Sequence, residues 1–139
     1  MTRSSSPATA APLAALLLAP LMSRSAIAHH SFATFDNTKI VKLTGTVKTF
    51  EWTNPHSWIW LVVADDKGGE QVWGLEGTAP GELTRHGWNR HSINPGDKIM
   101  VEIHPLRDGR AGGSYSRVTF VDGHELDAGG PGPGSAAEK

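Results

Sequence analysis

Cysteine is absent from the 139 residues, so disulfides, thiolate metal sites and cysteine nucleophiles are all excluded. Charge of one sign is also lacking: 13 Lys plus Arg stand against 14 Asp plus Glu, which leaves no basic surface for nucleic acid or an anionic membrane. There is one tyrosine. The longest apolar stretch, Ala10 to Met22, is shorter than the roughly 20 residues that a membrane-crossing helix needs. Catalytic signatures are missing too: no Ser-x-x-Lys, no G-x-S-x-G, no H-E-x-x-H and no phosphate-binding glycine loop. Glu51, Glu76 and Asp108 have no spacing that pairs them for acid–base work, so a binding protein is expected rather than an enzyme.

What is there begins with an address. Arg3 supplies a positive start, Ala10 to Met22 an apolar centre, and Ala26-Ile27-Ala28 a small-x-small cleavage site. Residues 1–28 therefore read as a cleaved signal peptide and the product as periplasmic or secreted, with no membrane span left after cleavage. Processing would remove Arg3 and Arg24 and no acid, making the balance more acidic. The remainder is one domain's worth of chain, divided into a β-domain over residues 29–126 and a Gly/Pro/Ala/Ser tail over 127–139 with little to bury.

The domain is organised around Ile40 to Ala64. Val41, Leu43, Gly45 and Val47 alternate with polar residues, the period of a half-buried strand. Beyond Lys48 the apolar residues are Phe50 and Trp52, so the phase has slipped by one, which predicts a bulge near Lys48-Thr49. Asn54-Pro55 ends that strand. Ser57–Ala64 predicts a second strand with both faces covered, and Asp65-Asp66-Lys67-Gly68-Gly69 a hairpin turn into a third over Glu70–Glu76. A short helix is expected within 78–87, with Thr78 as N-cap and Pro80 in its first turn. Asn94-Pro95-Gly96-Asp97 is a turn, Lys98–His104 a fourth strand with His104 pointing outward, and Ser114–Val121 a fifth with Val118 and Phe120 in the core.

Three strands, a helix and two strands, with the first strand long and curved, is the order of a five-stranded OB-like Greek-key barrel. The rival is an open, sandwich-like β-domain with an extra N-terminal strand. In the barrel the first and fourth strands pair antiparallel, which sets the start of the first beside His104.

Cleavage after Ala28 would make His29 the first residue, followed by His30. A terminal histidine offers an α-amine and an imidazole, and a further histidine completes a nitrogen-rich set suited to Cu(II) and, less selectively, to Ni(II) or Zn(II); the competing reading of His29-His30 is a solvated leader. The metal candidates are His29, His30 and His104, with His56 a fourth that the topology sets toward the opposite end of the barrel. A competing role for His56 is local, with its ring donating to a carbonyl inside the Asn-Pro-His-Ser turn. His86, His91 and His124 read as surface residues. Arg107 and Arg110 could hold an anion or simply line a solvated loop. Of Trp52, Trp58, Trp60, Trp73 and Trp88, three or more are assigned to packing, with a sugar or small aromatic ligand as a lesser use of the others.

His29-His30-Ser31-Phe32-Ala33, Phe35-Asp36, Gly45-Thr46-Val47, Trp52-Thr53-Asn54-Pro55-His56-Ser57, Leu83 with Gly87-Trp88, Pro95-Gly96-Asp97 and His104-Pro105-Leu106-Arg107-Asp108-Gly109 together resemble a family of small exported bacterial proteins known only as a domain of unknown function. The likeness runs from His29 to about Gly123 and implies that the paired-histidine start belongs to the pattern. Two functions are expected from different classes: a periplasmic copper-binding protein, or an accessory module that binds another envelope protein or a small ligand without metal.

Overall fold

The computed structural model describes Met1 and residues 34–129. The expected signal peptide, His29, His30 and the final ten residues of the tail lie outside the described residues.

Strand β1 (Val41–Glu51) is followed by β2 (Trp58–Ala64), β3 (Glu70–Glu76), helix α1 (Pro80–Arg85), β4 (Lys98–Pro105), β5 (Gly112–Phe120) and a short β6 (Glu125–Asp127). The order in the sheet is β3-β2-β1-β4-β5-β6, and β3 also pairs in parallel with the start of β5, which shuts five strands into a closed barrel. This is the small OB-like barrel rather than the open sandwich. One strand, β5, serves two neighbours on the same edge: Gly112–Ser114 pair with β3, and Arg117–Thr119 with β6.

The bulge falls where the phase slip put it. Val47 faces Leu61 and Thr49 faces Trp60, so Lys48 is the extra residue. Leu43 and Val47 before it, and Phe50 after it, thereby all turn toward the interior. Gly45 allows the tight coil, because a Cβ there would run into the Val62 carbonyl and the Leu61 side chain.

Inside sit Ile59, Leu61, Leu75, Ile99, Val101, Ile103 and Val118, all 2% exposed or less. Helix α1 closes one end with Leu83, and the connector after it adds Trp88 and Ile93. Tyr115 completes this layer beside Trp88, at 5.8 Å between ring centroids. Tyr115 is inward because β5 carries a second bulge, where Glu102 faces Arg117 but Ile103 faces Tyr115, leaving Ser116 extra.

Several local expectations are corrected. The second strand starts at Trp58, since Ser57 is spent on the Thr78 carbonyl, which accepts both its amide and its hydroxyl. That engagement also explains why Ala79, with no side-chain cap, stands at the helix N-terminus in place of Thr78. The outer face of β2 is half covered, with Trp58, Trp60 and Val62 all partly exposed. The fifth strand begins at Gly112 and stops at Phe120, and Val121 is 86% exposed. Strand β6 had no signal in the sequence. Packing continues past it: the Asp127 carbonyl accepts the Trp88 indole N–H at 2.7 Å and Ala128 is buried.

Candidate functional site

Residues 34–36 run alongside the end of β4. The Arg107 amide donates to the Thr34 carbonyl at 3.1 Å, Phe35 bridges Leu106, and the Asp36 amide donates to the Pro105 carbonyl at 2.8 Å. Asp36 then builds the turn into β1. Its carboxylate accepts the Thr38 hydroxyl at 2.6 Å and pairs with Lys39, and these bonds, the hydroxyl first, hold its pKa down at about 2. The turn delivers the Lys39 carbonyl to His104, 2.9 Å from Nδ1. A carbonyl only accepts, so Nδ1 carries the proton and Nε2 is the ring nitrogen turned away from this bond.

His104 is outward by alternation, as expected, yet only 4% exposed. Ile103 beside it is the inward residue. Its neighbours across the sheet follow from register: His104 faces Ser114, Ser114 faces Glu76, Glu76 faces Trp58 and Trp58 faces Glu51. Residues directly opposite one another share a face. One transverse row therefore wraps the outside of the barrel from β4 through β5, β3 and β2 to β1.

His56 joins this row through Glu76. Its Nδ1 lies 2.5 Å from Glu76 Oε1, with the histidine side chain 34% exposed and the carboxylate 15%. The Nδ1 partner is thus a carboxylate from the end of β3. His56 is not at the far end from His104: the β3–β5 seam brings its partner Glu76 two strands away. In the turn itself the Thr53 hydroxyl donates to the His56 carbonyl, and the Asn54–Pro55 peptide is cis. Among the described residues no three His, Asp or Glu side chains already converge as a metal site.

Beside the row, Trp58 and Trp60 stack at 5.9 Å and 16° on the outer face. The Trp60 indole donates to Glu51 at 2.8 Å, and the ring lies over Gly74, where a Cβ would come within 2.9 Å of it. Trp88 is buried, and Trp52 and Trp73 pack against the core, so three of the five serve packing.

The other candidates lie apart. His86 and His91 are exposed, and His124 stacks on Phe120 while bonding Asp122. Arg110 is engaged by Asp108, whose carboxyl is held below its usual range first by the Arg110 amide and then by its guanidinium. Glu76 is the residue that sequence reasoning passed over. The signal available was its place at the end of the third strand, four residues before Pro80, but only strand pairing shows what it faces.

The fold and this band define a small β-barrel domain with a polar, partly buried row on its outer wall. The chain belongs to a family of unknown function (DUF6152), whose model matches residues 17–116. No curated protein and no solved structure matches it.

Proposed function

We propose that this protein is an exported binding protein that captures Cu(II), using the α-amine and imidazole of His29 as a terminal chelate and His104 Nε2 as a third nitrogen. The observation that carries the reading is the docking of residues 34–36 on the end of β4, the strand that bears His104. Five residues separate Thr34 from His29, a reach of up to roughly 17 Å, and doubling back from Arg107 to His104 needs only about 10 Å. The Lys39 carbonyl supports it further, since a protein oxygen on the far nitrogen is how ligating imidazoles are oriented. His30 is the alternative ligand from the same leader.

The test uses protein exported from its full-length precursor, with the mature terminus established by intact mass. Calorimetric titration with Cu(II) is expected to give submicromolar affinity, falling by about a hundredfold when one extra residue precedes His29. Equal affinity with and without that residue overturns the reading, as does a mature protein that retains residues 1–28.

The stacked Trp58–Trp60 face favours a second reading, a metal-free accessory module for an envelope protein or small ligand. Correctly processed protein that binds no Cu(II) leaves that one standing.

A further inference from the structure

Two indoles stand outside the core, on the outer face of β2. Trp58 and Trp60 are near-parallel, and with 5.9 Å between centroids they are offset rather than overlaid, so each keeps part of a ring face open. Both are partly exposed, and the apolar surface runs on through Val62 to Val72 on β3, which is 42% exposed. Trp60 is fixed at both ends. Its indole N–H is held by Glu51 at 2.8 Å on the β1 side, and its six-membered ring lies over Gly74 on the β3 side, where no Cβ lifts it. A ring pinned in this way loses little freedom on binding.

The polar edge of this surface comes from the bulge. Lys48 and Thr49 both stand opposite Trp60, and both are exposed because Val47 before them and Phe50 after them face the core. Glu51 follows, opposite Trp58. One side of the indole pair is therefore lined by an ammonium, a hydroxyl and a carboxylate. Among the described residues the Lys48 and Thr49 side chains have no hydrogen-bonding or charged partner, and Glu51 is engaged only by the Trp60 N–H. Charges of both signs select neither a polyanion nor a cation. They suit a neutral ligand rich in hydroxyls, which donate to the carboxylate and accept from the ammonium. The C–H face of a pyranose ring is apolar and slightly positive, which matches the negative π face of an indole.

We infer that this outer face binds a neutral saccharide, with pyranose rings lying on Trp58 and Trp60 and their hydroxyls bonded along the edge formed by Lys48, Thr49 and Glu51. The inference rests on the metal-free reading above for its ligand and names the chemical class of that ligand. It draws on β1, β2 and β3 alone and involves no metal.

The experiment titrates the exported protein, with a metal chelator present, with cellotetraose and with the matching tetramer of N-acetylglucosamine, and follows the five tryptophan indole N–H signals by proton–nitrogen correlation NMR. The Trp58 and Trp60 signals are expected to shift saturably with at least one of the two saccharides. Trp88, whose N–H is bonded to the Asp127 carbonyl inside the fold, is expected to stay in place. Trp58→Ala should weaken binding by about tenfold. Lys48→Ala and Glu51→Gln should each weaken it by about threefold, and these two keep the test open if Trp58→Ala does not fold. No shift with either saccharide overturns the inference, as does wild-type affinity in a folded Trp58→Ala or in both edge variants. Tighter binding of tetramethylammonium at the same two indoles overturns it in favour of a cationic ligand. Saccharide binding by protein that also takes up Cu(II) at its terminus upholds this inference and removes only the metal-free reading, whereas protein that binds neither loses this inference and keeps that reading for an envelope protein.

Discussion

Ser57 and Tyr115 show what one buried hydroxyl pair does for a cysteine-free core. Their oxygens are 2.6 Å apart, Ser57 is fully buried, and its hydroxyl donates to the Thr78 carbonyl, so the tyrosine O–H donates to Ser57. This ties the loop before β2 to the end of β3 and to β5. Burial pushes the Tyr115 pKa above its ordinary value of 10.0. A raised pKa means that the folded state holds its proton where the unfolded chain gives it up. The stabilisation is complete below pH 10 and is lost as the pH climbs beyond it. Tyr115 is the chain's one tyrosine, so tyrosinate absorbance reads it alone. We expect that absorbance to appear together with loss of the near-ultraviolet circular dichroism, above pH 10, rather than as a separate titration of native protein. Tyr115→Phe should cost about 1 kcal/mol and Ser57→Ala more, about 2–3 kcal/mol, because the latter strands a buried phenol and removes a donor from Thr78. Urea unfolding at pH 7 checks the order. A larger loss for Tyr115→Phe would mean that the hydroxyl pair is not the tie.

At the scale of the element, β1 does the most with the least. Eleven residues pair with β4 over Val41–Thr46 and with β2 over Thr46–Glu51, and the change of partner coincides with the bulge. Removing Lys48 makes Val47, Thr49, Phe50 and Glu51 consecutive in an unbroken register against β2, so the inward residues stay inward and what is lost is the local bend that the bulge supplies. Losing that bend in the strand that passes from β4 to β2 should lower stability by about 1–3 kcal/mol, read as a fall in the urea midpoint. Lys48→Ala, which keeps the residue count, should fall within about 0.5 kcal/mol of the wild type. Similar losses in both would show that the side chain and not the extra residue matters. The phase slip from Val47 to Phe50 was legible because both are large and apolar. The matching slip in β5, from Tyr115 to Val118, sits among serines and an arginine, and was not read. That is why Phe120 was preferred to Tyr115 as a core residue. Strand β6 escaped notice because three residues, one of them Leu126, are too few to show a period.

For the whole molecule the deciding contact is the seam between β3 and β5. It is short, Gly74 to Gly112, Leu75 to Gly113 and Glu76 to Ser114, and it alone converts a curved sheet into a closed barrel. Gly113 is held tightly there: a Cβ would lie 2.6 Å from the His104 carbonyl oxygen and 2.8 Å from Ile103 Cδ1. Gly113→Val should therefore destabilise by about 1–3 kcal/mol, as overpacking does. It should also speed hydrogen exchange of the Gly74 amide, which bonds the Ala111 carbonyl across the seam, more than that of amides in the β1–β2 ladder. Uniform acceleration would indicate general loosening instead of an opened seam.

The chain by itself determined its five barrel strands, its first bulge, its turns and its barrel class, because those depend on local alternation and on where glycine and proline fall. It also singled out His104 and the proximity of that residue to the start of β1, since strand pairing in such a barrel follows from strand order. Only the tertiary structure decided that His104 is buried, that His56 bonds Glu76, and that Glu76 stands in line with Ser114 and His104. The last of these depends on the register of a parallel pairing between residues 38 positions apart in the chain, such as Leu75 and Gly113. A register shift of one residue would turn the row inward, and nothing in the local pattern of either strand specifies it.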